Sequence, residues 1–179
     1  MPVLISFTGL PGVGKTTIAR SLAQETGALW LWIDQIEAAM RSSHMQASDL
    51  ADGGYAAAQA IAAGALQQGY DVIADRVNPI ALTRRAWRDV ATQTGARFLD
   101  IEFTCSDPQT HRSRLEERRV DLEGWVGPTW SDVLKREYDP LPNASLHIDT
   151  ARLSVAQTVA LIRAAVDQDL EAEKSFGNP

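Results

Sequence analysis

No feature of this chain narrows its possible folds as far as the octapeptide GLPGVGKT, residues 9–16. It lies between the apolar run VLISFT and the amphipathic stretch KTTIARSLAQET. Glycine has the most backbone freedom to lose on folding, so three of them in eight residues imply that the main chain itself approaches something closely. Gly9, Gly14, Lys15 and Thr16 occupy the fixed positions of G-x-x-x-x-G-K-[ST]. A strand before the match and a helix after it supply the context in which successive N–H groups curl around a phosphate. The helix N-terminus adds unpaired N–H groups and a partial positive charge. The expected triphosphate contacts are therefore Gly9, Gly12, Val13, Gly14, Lys15, Thr16 and Thr17. Lys15 reaches the β- and γ-phosphates, and the Thr16 hydroxyl is placed to hold Mg²⁺.

The rest of the chain alternates strand-like and helix-like segments, the pattern of a parallel sheet wrapped by helices. VLISFTG, ALWLWID, DVIADRV, RFLDIEFTC and SLHID read as five strands. The intervening helices end at Gly27 and Gly95 or begin at Asp107-Pro108, a cap followed by proline in the first turn. At 179 residues the chain suits one domain, expected over residues 1–168, with a polar, frayed tail over 169–179. A glycine- and proline-broken segment, VDLEGWVGPTW, interrupts two charged helices and reads as a mobile flap over about residues 119–130. The net charge of −6 argues against a general affinity for nucleic acid or anionic membrane. One cysteine, Cys105, precludes an intramolecular disulfide and fits a reducing, cytoplasmic setting. No apolar run is long enough to span a bilayer, and MPVLISFTG lacks the basic region of a signal peptide.

What happens to the bound triphosphate depends on the acidic and basic residues at the strand ends. Asp75 closes DVIAD and is the expected second Mg²⁺ residue with Thr16; the alternative is a strand-end aspartate capping a turn. The following residue is Arg76, where ATP-hydrolysing motors generally carry a water-activating glutamate. No N-K-x-D guanine signature is present. Asp34 ends the second strand at the carboxyl edge, where open α/β sheets bind ligands. Arg41, two helical turns on, returns to nearly the same face. The pair suits a hydroxyl acceptor, with Asp34 taking or orienting its proton and Arg41 steadying the substrate; an N-capping Asp34 and a solvated Arg41 are the plain alternatives. Arg76 and Asn78 join them as substrate-side candidates. Arg112, Arg114, Arg118 and Arg119 crowd the approach to the flap. Some of them complement a helix dipole or pair with Glu116 and Glu117. Arg118 is the expected catalytic cation beside Lys15 and Asp34, and Arg112 or Arg114 the adenine-side contact. Trp125 and Trp130 either stack on a substrate or anchor the flap. Trp30, Trp32 and Trp87 are expected to pack in the core, as is Cys105. His44, His111 and His147 show no metal-ligand spacing.

With these residues in view, the chain resembles the small P-loop kinases of metabolites and nucleic-acid ends, including gluconokinase, shikimate kinase, chloramphenicol phosphotransferase and polynucleotide kinase. SRLEERR is similar to the helix that leads into the gluconokinase lid, with arginines spaced like Arg114 and Arg118. DVIADRVNP looks like the D-x-x-N-P segment of polynucleotide kinase, matched by Asp75, Asn78 and Pro79. The pattern IDQIE…VNP…SDP is similar to that of bacterial chains carrying a generic AAA or kinase label. The resemblance implies a five-stranded parallel sheet of order 2-3-1-4-5, an ATP–Mg²⁺ donor and an acceptor site near Asp34. The gluconokinase Gly-Asp-x-x-His signature is missing after the second strand, where the chain reads WIDQIEAAM, and no arginine follows Asp34 by three residues as in adenylate kinases. The reaction expected is ATP-dependent phosphorylation of a small-molecule hydroxyl. A kinase of nucleoside or nucleic-acid 5′-hydroxyl ends and an ATP-sensing binding module without phosphoryl transfer are the competing readings. The acceptor and the oligomeric state are left open.

Overall fold

The computed structural model describes residues 1–44, 49–118, 122 and 127–176, with side chains through residue 168. The element order is β1 (Val3–Thr8), α1 (Lys15–Thr26), β2 (Leu29–Trp32), α2 (Ile33–Ser42), α3 (Gly53–Gln67), β3 (Val72–Asp75) and α4 (Ala81–Thr94). It continues with β4 (Arg97–Thr104), α5 (Pro108–Glu117), α6 (Trp130–Lys135), β5 (Leu146–Asp149) and α7 (Val155–Phe176). The five strands form one sheet in the order β2-β3-β1-β4-β5, parallel throughout. Two features of the expected flap, Arg119 and Trp125, lie outside the described residues.

β1 sits at the centre and is buried over its whole length, which is why it reads as an apolar run. Its side chains alternate between two cores. Val3, Ile5 and Phe7 pack with Ile18 and Leu22 of α1 and with Val159 and Ile162 of α7. Leu4 faces Ala58, Ala62 and Leu66 of α3 and Trp87 of α4. The alanines of α3 let its backbone lie close to the sheet, and Trp87 is fully buried, as the sequence suggested. With all strands parallel, Thr8, Trp32, Asp75, Thr104 and Asp149 end at one rim, and the site forms there.

Two boundaries differ from the sequence reading, at β2 and in the C-terminal tail. β2 stops at Trp32, and α2 starts at Ile33 with no side-chain cap, so Asp34 lies in the first helical turn and does not cap it. α6 is only six residues long; it opens with a capping box in which Thr129 and Asp132 satisfy each other's backbone N–H groups. The expected frayed tail is helical to Phe176. DQDLEAEKSF contains neither glycine nor proline, and half of it is Ala, Glu, Leu and Lys, which lose little in a helix.

Candidate active site

The loop between β1 and α1 is a main-chain cradle. Gly12 and Gly14 adopt φ of 87° and 95°, a left-handed region that side chains disfavour. A Cβ on Gly12 would also come within 3.0 Å of Leu115 and 3.1 Å of His111. α1 has no side-chain cap and no acid in its first turn, so its leading N–H groups are left for an anion. The cradle is braced from behind. Gly9 N–H donates to Val77 O at 3.0 Å, buried His111 Nε2 donates to Pro11 O at 2.7 Å, and Thr150 Oγ1 donates to Val13 O at 2.9 Å.

Lys15 is buried and donates to Gly9 O at 2.7 Å and Leu10 O at 3.0 Å. Burial pulls its ammonium down to about 8, against the opposing pull of Asp75 and Asp34. Asp75 is buried at the end of β3, and burial raises its carboxyl while Lys15 and the Thr16 hydroxyl draw it back. Its Oδ2 is enclosed with no hydrogen-bond partner of normal geometry. Leaving a buried acceptor unpaired costs about 1–3 kcal/mol. An enclosed carboxylate oxygen beside a threonine hydroxyl at the rim of a phosphate cradle is a donor set that suits Mg²⁺. Among the described residues no cluster of three or more His, Cys, Asp or Glu side chains is arranged for a metal. Mg²⁺ needs none, since in such sites it keeps water and takes phosphate oxygens.

A second set of side chains faces the cradle across the same cavity of about 1050 Å³. Asp34, Glu37 and Arg41 form one stripe of α2 along its wall. Asp34 Oδ1 accepts from Arg76 at 2.5 Å and Oδ2 from Arg118 at 3.4 Å. Arg76 also pairs with Glu37 at 2.8 Å, and its guanidinium lies 5.2 Å from the centre of the Tyr55 ring. Gly54 makes this arrangement possible, because a Cβ there would come within 2.4 Å of Glu37 Cγ. Trp32 lines the same wall and stacks on Trp30, with ring centres 5.7 Å apart.

Of the residues singled out from sequence, Gly12, Gly14, Lys15, Thr16, Thr17, Asp34, Arg41, Asp75, Arg76, Arg114 and Arg118 line this cavity. Gly9, Val13, Arg112 and Asn78 do not line it, and Gly9, Arg112 and Asn78 each require a correction. Gly9 lies behind the loop, its N–H given to Val77 O and a Cβ there within 2.4 Å of Phe103 O; the Val13 side chain is in the core, which leaves its expected main-chain N–H contact standing. Arg112 points to solvent, 59% exposed, in a helical pair with Glu116. Asn78 is fully buried with φ of 46°; its amide donates to Phe7 O at 2.8 Å and so ties the β3 loop to β1, out of reach of a ligand. Arg114, the adenine-side candidate, donates to both the hydroxyl and the carbonyl of Thr150.

Sequence reasoning missed Glu37, Tyr55, His111, Thr150 and Arg136. Glu37 was detectable, because it follows Asp34 by three residues on the same helical face. Tyr55 and Thr150 come from elements remote in sequence, and no local pattern marks them.

The AAA domain family model matches residues 4–124, which is more than half of the chain. No curated protein matches the chain. Among solved structures, the Mycobacterium tuberculosis APS kinase CysC in complex with AMPPNP and APS is similar, with a TM-score of 0.67 at 16% identity, covering 93% of this chain and 98% of that one. A gluconokinase from Sinorhizobium meliloti 1021 gives a TM-score of 0.67 at 16% identity over 99% of this chain and 98% of its own. A sugar kinase from Janibacter sp. HTCC2649 gives 0.63 at 17% identity over 93% and 95%. The strand order, the phosphate cradle and these matches agree: the chain belongs to the AAA domain family, with the fold shared by small P-loop kinases.

Proposed function

We propose that the protein is an ATP-dependent kinase of a small-molecule hydroxyl. The observation that carries this reading is that the phosphate cradle and the Asp34 carboxylate open into one cavity, which Arg118 also lines while pairing with Asp34. A hydrolase would need a residue to activate water, whereas the position after Asp75 is an arginine already held by two carboxylates. The structural relatives include an APS kinase, a gluconokinase and a sugar kinase, which favours a small acceptor.

In this reading the cradle N–H groups, Lys15 and the α1 N-terminus hold the β- and γ-phosphates of ATP. Thr16 and Asp75 would hold Mg²⁺, which supplies charge neutralisation between the phosphates. The acceptor oxygen attacks the γ-phosphorus, the bond from that phosphorus to the β,γ-bridging oxygen breaks, and ADP leaves. The hydroxyl proton passes to Asp34. Phosphoryl transfer has a loose transition state and asks for positioning and electrostatics more than for a strong base. A carboxylate already paired with two arginines can meet that demand by orienting the hydroxyl and taking its proton late. Arg118 is positioned to leave Asp34 for the transferring group, where a cation offsets the developing charge.

Calorimetry with Mg·ATP, followed by a screen of sugars, sugar acids and nucleosides for acceptor-stimulated ADP release, tests this reading. Binding with stimulated release supports it. Tight ATP binding with no acceptor-dependent transfer of the γ-phosphoryl group would favour a nucleotide-sensing module.

A further inference from the structure

One buried ionisable side chain beside the cradle has no part in the transfer described above. His111, on α5, is 6% exposed and does not line the cavity. Its Nε2 lies 2.7 Å from Pro11 O. A carbonyl oxygen can only accept, so the ring nitrogen that faces it carries the proton, and this sets the tautomer. Two further contacts hold the ring. Trp130 meets it edge-on at 88°, with ring centres 5.0 Å apart. Gly12 lies against another side: a Cβ there would come within 3.1 Å of His111 Cδ2 and 3.3 Å of Nε2.

No peptide bond among the described residues is cis. In a trans peptide the C=O and the following N–H point in opposite directions. With Pro11 O drawn back to α5, the Gly12 N–H is turned forward, toward the cavity that Gly12 lines. Thr150 acts alike two residues on: its hydroxyl takes Val13 O, which turns the Gly14 N–H forward. Among the described residues neither of these two N–H groups has an acceptor, so both donors are left for an anion. The braces differ in position. Thr150 itself lines the cavity and accepts from Arg114, whereas His111 serves the loop from outside the cavity.

We propose that His111 is a positioning residue for the nucleotide phosphates: it holds the Pro11–Gly12 peptide so that the Gly12 N–H is aimed at them before they arrive. This rests on the triphosphate-binding part of the kinase reading and not on the acceptor. An anion then meets a donor that needs no reorientation on binding. Pro11 is buried, so losing the imidazole donor leaves its carbonyl unpaired. Turning the peptide to solvate that carbonyl takes the Gly12 N–H away from the phosphates.

Calorimetry with Mg·AMPPNP and with magnesium tripolyphosphate tests this in two variants. His111→Leu fills the space and removes the donor. It should raise both Kd values about tenfold, the scale of one hydrogen bond. His111→Gln carries an N–H group at a similar reach and should stay within about threefold of the parent for both ligands. His44→Gln, at an exposed histidine, should change neither. In turnover, His111→Leu should raise the KM for ATP and leave the KM for the acceptor near the parent value. Long-range ¹⁵N–¹H NMR of histidine-labelled protein should place the His111 proton on Nε2, with and without Mg·AMPPNP, the signal being assigned by its loss in His111→Gln.

Affinity that falls equally in both variants, in step with a lower Tm, would mean that the ring only packs, and overturns the proposal. Unchanged affinity in His111→Leu, or a neutral His111 ring protonated on Nδ1, overturns it as well. A parent protein that binds neither ligand would remove the triphosphate reading and this proposal with it. Binding that responds to the two variants as expected, with no phosphoryl transfer to any acceptor, would break the kinase reading and leave the role of His111 standing.

Discussion

The two halves of the cavity are built from different materials. The phosphate half is mostly main chain: positive-φ glycines, a helix terminus without a cap, and a lysine folded onto two carbonyls of its own loop. The half proposed to take the acceptor is mostly side chain, a lattice in which Asp34, Glu37, Arg76, Arg118 and Tyr55 hold one another. A main-chain cradle recognises what every nucleoside triphosphate shares and tolerates few substitutions. A side-chain lattice can be rewritten one residue at a time, which suits the end of the site that chooses among acceptors.

If the halves act separately, damage to each should appear in different kinetic constants. Asp34→Asn removes the carboxylate proposed to accept the hydroxyl proton and should lower kcat by about 10²–10⁴-fold, the usual scale for a general acid–base group. Its KM for ATP should change little; a large rise in that constant would mean that Asp34 serves the nucleotide half. Lys15→Met should lower kcat by about 10²–10³-fold, the scale of one lost transition-state donor, and should weaken ATP binding as well, read by calorimetry. Gly12→Ala forces a Cβ into a left-handed conformation against Leu115 and His111, a strain of about 1–3 kcal/mol. It should raise the Kd for ATP about tenfold or more, with the KM for the acceptor near the parent value.

The pH dependence of ATP affinity probes the phosphate half alone. Lys15 titrates at about 8 in the empty loop, and bound polyphosphate favours its charged form. Binding above that pH therefore takes up a proton, so affinity falls as pH rises. Calorimetry should give a nearly constant Kd on the acid side of the Lys15 transition. Above it, Kd should rise toward about tenfold per pH unit, and Lys15→Met should remove this dependence. The smallest effect belongs to the acceptor half. Gly54→Ala displaces Glu37 from Arg76 and should raise the KM for the acceptor about two- to fivefold, the scale of a partly exposed ion pair, with ATP kinetics unchanged.

The same contrast explains what could be read from the sequence. A phosphate cradle needs glycines, lysine and threonine at fixed spacing on consecutive residues, so Gly12 to Thr17 were legible as a string. The five strands were legible because buried parallel strands such as VLISFT and DVIAD are mostly apolar, whereas their order came only with the resemblance to the small P-loop kinases. Asn78 misled: its place in D-x-x-N-P suggested a ligand contact, but its amide pins the loop to β1. Arg112 misled because charge alone does not say which side of a helix a residue occupies. The Glu37–Arg76–Tyr55 lattice joins three elements that only the folded chain brings together.

The central claim is that a phosphoryl group crosses from one half of the cavity to the other. Incubating the protein and Mg²⁺ with ATP labelled at the γ-phosphorus, together with a small-molecule extract of cells, tests this whatever the acceptor is. The label should move into an organic phosphate ester, and Asp34→Asn should suppress that transfer while still binding ATP. Label recovered only as inorganic phosphate, or left entirely in ATP by a protein that binds it, would contradict the claim.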